Sequence, residues 1–477
     1  MRSASFVRRV LTVGMGSGLA QGITFLSMPI ITRLYPPADY SGWAVLVSLS
    51  VLFTAVGTLR FDLAIVLPER DGDAKALMTL GLLASVGVAG LAACFLALFG
   101  REAVGESFYA ALASWLWAIP LLVIMTALYQ ISCAWSVRTK EFFLYSLAQV
   151  LFPLCTVGLQ IGLAMAGMGH AGGLIAGTVG GQALAALCLA FALVIKQRGR
   201  NQAMPGDGLL ANLRAYRCYP FYMVPYTLVG TLRDRLTYLM LGNFGDQAQV
   251  GYYGLSSRAT GMPNSLVSSA VRPVFFQWAA RAGFASMERP IVLVLRGLVV
   301  AIIPAWTLFL IRADSVMALV FGPAWAAAGP YAAILSVAAI PLLLGNWLDR
   351  GFDVLGRQRL AMAMELFFSG MALLGLAAGI FVFHSVLLAI VFHVAALFVY
   401  YWVWLFALFR AAGFATAALW KLLGLAAMLT AVGSASAFVL TSALPFLLAA
   451  GIHLVLATTG AGLYLRSVLR DLRTKTQ

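Results

Sequence analysis

Gly57-Thr58-Leu59-Arg60-Phe61-Asp62 and Gly230-Thr231-Leu232-Arg233-Asp234-Arg235 share four letters and a run of charge, and each sits inside a long apolar stretch. A guanidinium or carboxylate at bilayer depth costs about 3 kcal/mol even on the lenient insertion scale. Such groups usually face a bundle interior or a wet cavity and mark a pathway. The apolar runs around them decide the fold class. The chain of 477 residues is 62% hydrophobic and only 10% charged, with a mean hydropathy of +0.92. A soluble protein carries roughly 25% charge, so the composition predicts a polytopic, all-α membrane protein.

A spanning helix needs roughly 20 apolar residues. Working outward from the two charged stretches, about fourteen runs meet this: 10–33, 43–66, 76–99, 112–135, 143–167, 172–195, 218–241, 250–274, 290–311, 328–349, 360–383, 385–409, 418–440 and 445–466. Arg2, Arg8 and Arg9 before the first run imitate a signal peptide. That run continues through Met28-Pro29-Ile30-Ile31-Thr32, too long for a signal core, and reads as the first span.

The net charge of +15 could point to nucleic acid, but that reading needs a soluble basic face. Here the basic residues fall between apolar runs, on alternate connections. With the N-terminus inside, the inner loops hold Arg70, Lys75, Arg138, Lys140, Lys196, Arg198, Arg200, Arg214, Arg217, Arg281, Arg289, Arg350, Arg357, Arg359, Arg410 and Lys421, and the tail adds Arg466, Arg470, Arg473 and Lys475. The outer loops hold Arg101 and Arg312, with Arg33 at a helix end. This asymmetry sets orientation and predicts an even number of spans with both termini cytoplasmic.

The longest linker, Lys196 to Arg217, follows the sixth span, and spans one to six and seven to twelve have similar lengths. The connections after spans one and seven, Tyr35 to Trp43 and Phe244 to Tyr252, share an aromatic, Gly, aromatic spacing. An even number of spans per half implies parallel repeats. The expected division is 1–199, 200–410 and 411–477: two six-helix bundles, then two additional helices with a basic cytoplasmic tail. The shared Gly-Thr-Leu-Arg letters do not follow this repeat. Arg60 and Arg233 are 173 positions apart, whereas Gly42 and Gly251 are 209 apart. Span two descends and span seven ascends, so Arg60 is expected toward the cytoplasmic side and Arg233 toward the periplasmic side, as cationic stations at different depths.

Three stretches carry a family resemblance: Thr32-Arg33-Leu34-Tyr35-Pro36-Pro37-Ala38-Asp39-Tyr40-Ser41-Gly42, Leu59-Arg60-Phe61-Asp62-Leu63-Ala64-Ile65-Val66-Leu67-Pro68, and Phe321-Gly322-Pro323-Ala324-Trp325-Ala326-Ala327-Ala328-Gly329-Pro330-Tyr331. They resemble Wzx-type polysaccharide flippases of the multidrug/oligosaccharidyl-lipid/polysaccharide exporter superfamily. The resemblance implies a two-bundle transporter of alternating access around a central cavity in the bacterial inner membrane. It implies an undecaprenyl-diphosphate-linked oligosaccharide as cargo, moved from the cytoplasmic to the periplasmic leaflet for surface polysaccharides such as lipopolysaccharide or exopolysaccharide. The polymerising and chain-length machinery are then candidate partners.

Charge supports an anionic cargo independently. Arginine suits a diphosphate because its planar fork engages two oxygens at once. Arg60, Arg233, Arg235 and Arg258 are the candidate cargo-binding cations, and Asp62 and Asp234 the candidate gating or coupling carboxylates. Each has a structural alternative: Arg60 and Asp62 as interhelical partners near the cytoplasmic end of span two, Asp234 as a neutraliser of its neighbours. On a continuous helix, residues two apart lie about 200° apart, so Arg60 and Asp62 are not expected to pair with each other. Arg272, Asp349 and Glu365 read as interfacial contacts, His393 and His453 as buried, hydrogen-bonded histidines, and Trp43 and Trp325 as belt anchors. Pro220, Pro225, Pro263 and Pro273 are candidate bends in spans seven and eight.

Other classes lack their signals. Cys94, Cys133, Cys155, Cys188 and Cys218 show no CxxC spacing, and no metal or cofactor is expected. No phosphate-cradling loop or nucleophile motif appears, which argues against an enzyme such as a membrane polymerase. A drug/cation antiporter would favour an acidic cavity. A lipid II flippase shares both fold and charge logic and stays open as an alternative.

Overall fold

The computed structural model of the protein describes residues 2–104, 106, 108, 112–197, 206–244, 246–282, 284–349 and 351–474. Among the described residues every regular element is helical, as lipid requires of a chain that must satisfy its own backbone. Contacts divide the chain into two compact units, Met1–Gly254 and Leu255–Gln477.

The first unit contains α1 (Arg2–Leu34), α2 (Pro37–Thr54), α3 (Phe61–Ala64), α4 (Asp71–Val104), α5 (Ala118–Arg138), α6 (Phe142–Met165), α7 (Ala171–Gln197), α8 (Leu209–Ala215) and α9 (Val224–Phe244). α6 packs on α1 and α7, and α5 on α4 and α7; α2 lies against α5, α7 and α9. Small residues let these backbones meet. A Cβ on Gly181 of α7 would stand 2.5 Å from the Thr156 Cα of α6. Phe61, Ile65, Leu77, Ile131, Trp135, Leu189 and their neighbours form the apolar core.

α10 (Gln247–Ala282) begins in the first unit and ends in the second. The second unit continues with α11 (Glu288–Phe321), α12 (Gly329–Gly345), α13 (Gly351–Val354), α14 (Gln358–Phe381), α15 (Val386–Ala412), α16 (Ala417–Ala443) and α17 (Phe446–Thr474). Ile291, Leu295, Val299 and Ile303 recur every four residues on α11 and form one buried stripe of the core. α12, α16 and α17 all pack on α11, so the last two spans belong to the same unit as α11. Gly413 closes α15 at φ 76°, a left-handed conformation that lets the amide of Phe414 reach back to the carbonyl of Phe409.

Each of the fourteen expected spans overlaps a helix among the described residues. Among the described residues, nine helical stretches are long and apolar enough to cross a membrane, and α17 adds a shorter apolar segment, Phe446–Gly462. The nine leave out α1, α2, α9 and α10, where polar or charged residues interrupt the apolar run. Span two is also shorter than expected because its helix breaks after Thr54. In the other direction, α11 extends through the expected outer loop to Phe321, with a kink at Arg312 (φ −133°, ψ 41°). Trp43 and Trp325 are buried in the protein rather than set in a lipid-facing belt. An indole N–H needs a partner when buried, and Trp43 Nε1 donates to Thr178 Oγ1 at 2.8 Å.

Candidate functional site

The break in span two builds the site in the first unit. After α2 the chain passes through short turns, in which Gly57 N bonds Thr54 O and Leu59 N bonds Val56 O. Leu59 (φ 48°) and Arg60 (φ 63°) then both take the left-handed conformation. For residues with a Cβ this costs about 1–3 kcal/mol each and persists only where the surroundings enforce it. The core enforces it here: Phe61, Ala64 and Ile65, just after the break, are all buried. Reversing the backbone at Arg60 sends its side chain away from this core toward α9. Its Nε and Nη2 donate to Thr227 Oγ1 at 3.1 and 2.9 Å. Thr227 spends its own hydrogen on the Met223 carbonyl at 2.8 Å, so toward the guanidinium it is purely an acceptor.

Asp62 is buried, and its Oδ1 accepts from Thr58 Oγ1. Arg60 and Asp62 do not pair with each other, although the helix on which that expectation rested is interrupted between them. The partner of each, Thr227 or Thr58, is a neutral hydroxyl that apolarity patterns do not single out.

α9 is entered through a π-turn, Tyr219–Met223, that contains Pro220 and precedes Pro225; such wide turns are frequent at functional sites. Arg233 lies six residues beyond Thr227, about 9 Å along the axis. Its side chain is buried and its Nε donates to Asp234 Oδ1 at 2.9 Å. Asp234 itself is exposed. The Arg235 guanidinium lies 5.9 Å from the centre of the Tyr238 ring, in range of a cation–π contact. Tyr238 meets Tyr253 edge-on at 5.0 Å. Thus α9 carries two cationic levels, one at Thr227, where Arg60 arrives from the broken span, and one at Arg233 to Arg235.

Arg258 stands on α10 in the second unit, half-buried, between the buried Ser256 and Thr260. In the same unit Arg272 donates to the Asn346 carbonyl and pairs with Asp349 at 3.2 Å. Glu365 accepts from Ser369 and from Tyr400. His393 is buried with Nδ1 3.2 Å from the Ala372 carbonyl. His453, also buried, contacts Pro304, Thr307 and Ser436. Among the described residues no group of three or more His, Cys, Asp or Glu side chains could hold a metal ion.

Three comparisons bear on identity. The model of a family described as polysaccharide biosynthesis protein matches residues 30–330. No curated protein matches the sequence significantly. Among solved structures, the chain is similar to the lipid II flippase MurJ in an inward closed conformation, with a TM-score of 0.70 at 13% identity over 97% of this chain and 100% of that one. It is also similar to an inward-facing multidrug resistance MATE family transporter of the MOP superfamily (TM-score 0.53, 16% identity, 85% of this chain and 98% of that one). A point mutant of the Vibrio cholerae MATE transporter VcmN matches with a TM-score of 0.53 at 13% identity, over 86% of this chain and 97% of that one. At these identities the likeness fixes the fold alone, which is that of MurJ and the MATE transporters. The family match takes in well over half of the sequence, and the chain is a multi-pass membrane protein that belongs to the polysaccharide biosynthesis protein family.

Proposed function

We propose that the protein flips a lipid-linked oligosaccharide with a diphosphate head, an undecaprenyl-diphosphate carrier, from the cytoplasmic to the periplasmic leaflet by alternating access. The observation that carries this reading is the hold on Arg60. A guanidinium on a broken span has a neutral hydroxyl as its acceptor, and a charged diphosphate oxygen can replace Thr227 with gain. Arg233, Arg235 and Arg258 are the further cargo-binding cations, and Asp62 and Asp234 the gating or coupling carboxylates. In this reading the chain is a transporter, not an enzyme. It sits in the bacterial inner membrane with both termini cytoplasmic and serves the polymerising and chain-length machinery.

Lipid II is the second cargo, favoured by the structural likeness to a lipid II flippase. A MATE-like drug or cation antiporter fits less well, because the charged stretches at 60–62 and 233–235 carry more arginine than aspartate. A membrane polymerase fits least.

The test is reconstitution of the full chain in vesicles with a fluorescent undecaprenyl-diphosphate oligosaccharide or lipid II, scored by leaflet-selective quenching. Faster exchange than in empty vesicles is expected, with the oligosaccharide preferred. Exchange no faster than in empty vesicles for both lipids overturns the reading, and a preference for lipid II selects the second cargo.

A further inference from the structure

α8 (Leu209–Ala215) lies in the connection between α7 and α9, and its two sides are reversed relative to a helix in water. Its polar Asn212 is buried, at 4% exposure, whereas Leu209, Leu210 and Leu213 stand 42%, 71% and 38% exposed. Around the helix axis the three leucines span an arc of about 100°. Arg214 falls at one border of that arc and Asn212 beyond the other.

The first turn of α4 holds Asn212 inward. Asn212 Nδ2 donates to Asp73 Oδ1 and to the Gly208 carbonyl, both at 2.9 Å. The same Asp73 oxygen accepts from the Asp207 amide at 2.8 Å, and Asp207 pairs with Arg70 at 2.8 Å. Gly206 comes so close to α4 that a Cβ there would stand 2.6 Å from the carbonyl carbon of Gly72. Tyr216, one turn after Asn212, packs against the apolar core that contains Phe61 and Leu77. These contacts fix one side of α8 to the protein, so the leucines cannot turn inward.

The place of the helix decides what covers them. α4 is long and apolar enough to cross a membrane, and Asp71 and Asp73 in its first turn mark the polar end of that span. α8 is clipped to Asp73, which sets it at the level of the bilayer surface. An apolar stripe bordered by cations at that level is the pattern of a helix lying in the interface. Arg214 and Arg217 supply the cations. Both are exposed, and neither forms an ion pair among the described residues, whereas the nearby Arg70 and Arg138 are engaged with Asp207 and Asp71.

We propose that α8 is a docking face for an anionic bilayer surface: Leu209, Leu210 and Leu213 enter the acyl region, and Arg214 and Arg217 bind the phosphate headgroups of anionic phospholipids. Leucines at the interface leave water for hydrocarbon, and an unpaired guanidinium gains charge-assisted hydrogen bonds from a phosphate. With the Asp73 clip on one side and lipid on the other, α8 fixes the level at which the chain enters α9, the helix whose Thr227 accepts from Arg60.

The test uses the full chain in vesicles of equal parts phosphatidylcholine and phosphatidylglycerol. The photoreactive residue p-benzoylphenylalanine replaces Leu210 or, as a control outside the arc, the exposed Ala211. Mass spectrometry after irradiation counts the lipid adducts. Adducts are expected at Leu210 and several-fold fewer at Ala211. Those at Leu210 should favour phosphatidylglycerol by about fivefold, the preference that one basic residue confers near an anionic surface. Arg214→Gln/Arg217→Gln should keep the adducts and abolish the preference. Adducts as rare at Leu210 as at Ala211 overturn the docking, as does crosslinking of Leu210 to the chain itself in place of lipid. Equal adducts of the two lipids, or a preference that survives loss of both arginines, overturns the headgroup assignment. No cargo enters the measurement, so either failure is distinct from failure of the flippase reading.

Discussion

Arg60 donates two hydrogen bonds to one oxygen, Thr227 Oγ1, at 3.1 and 2.9 Å. A guanidinium fork is shaped for two oxygens, so this resting contact is an incomplete use of it. Hydrogen bonds to a charged group are worth about 1.5–3 kcal/mol, roughly ten- to a hundredfold in rate if they form only with the moving cargo. Arg60→Gln should therefore slow flipping by that factor at unchanged membrane expression, whereas Thr227→Val should keep most of the rate. Vesicle assays of the two variants decide it. Equal losses in both would make the Arg60–Thr227 bond a structural strut instead.

The left-handed pair Leu59 and Arg60 makes a second, separable prediction. Gly occupies φ near 48° without the Cβ clash, and a β-branched residue is worse there than Leu. Leu59→Gly should leave the stability of the purified protein unchanged or raised, and Leu59→Ile should lower it by about 1–2 kcal/mol, both read from the direction in which the thermal midpoint moves. Comparable destabilisation by both would mean that contacts of the Leu59 side chain, rather than backbone conformation, set the cost.

How much of this was legible in the sequence differs by level. The helical, membrane-spanning class follows from apolar runs of the right length, because lipid leaves the backbone no other partner. The charges at 60, 62 and 233–235 stand out for the same reason. The break after Thr54 does not. Leu59 and Arg60 carry no glycine signal, and their backbone is set by the packing of Phe61 and Ile65 rather than by local propensity. Hydroxyl partners are equally hidden, since Thr227 and Ser436 are ordinary residues of membrane helices until folding sets them beside Arg60 and His453.

Arg138 illustrates a residue whose sequence reading was too coarse. As a basic residue of an inner loop it counts toward orientation. In the fold its side chain is nearly buried and bonds four groups: the carbonyls of Ile65 (3.2 Å), Pro68 (2.5 Å) and Glu69 (3.3 Å), and Asp71 Oδ1 (2.8 Å). It thereby ties the chain between α3 and α4 to the end of α5. Lysine keeps the charge but not the fork. Arg138→Lys should lose about 1–3 kcal/mol of stability, close to Arg138→Ala, as read from unfolding of the solubilised protein. A wild-type-like Arg138→Lys would show that charge alone suffices.

Arg233 and Asp234 separate a cargo site from a structural pair. The Nε of Arg233 donates to Asp234 at 2.9 Å, with Arg233 buried and Asp234 exposed. If Arg233 served only to balance that carboxylate, removing both charges would cost far less than removing one, since the penalty of breaking such a pair is the charge left behind. A role in binding diphosphate makes the opposite forecast. Arg233→Ala and the double variant Arg233→Ala/Asp234→Ala should both lose flipping by about tenfold or more, with membrane expression retained, while Asp234→Asn, which keeps the guanidinium, stays within a few-fold of wild type. Arg235→Ala should fall with Arg233→Ala if the two arginines serve one head group, because a diphosphate presents oxygens to more than one donor. Recovery of transport in the double variant would return Arg233 to the role of a counter-ion and leave Arg60 and Arg235 to meet the head group.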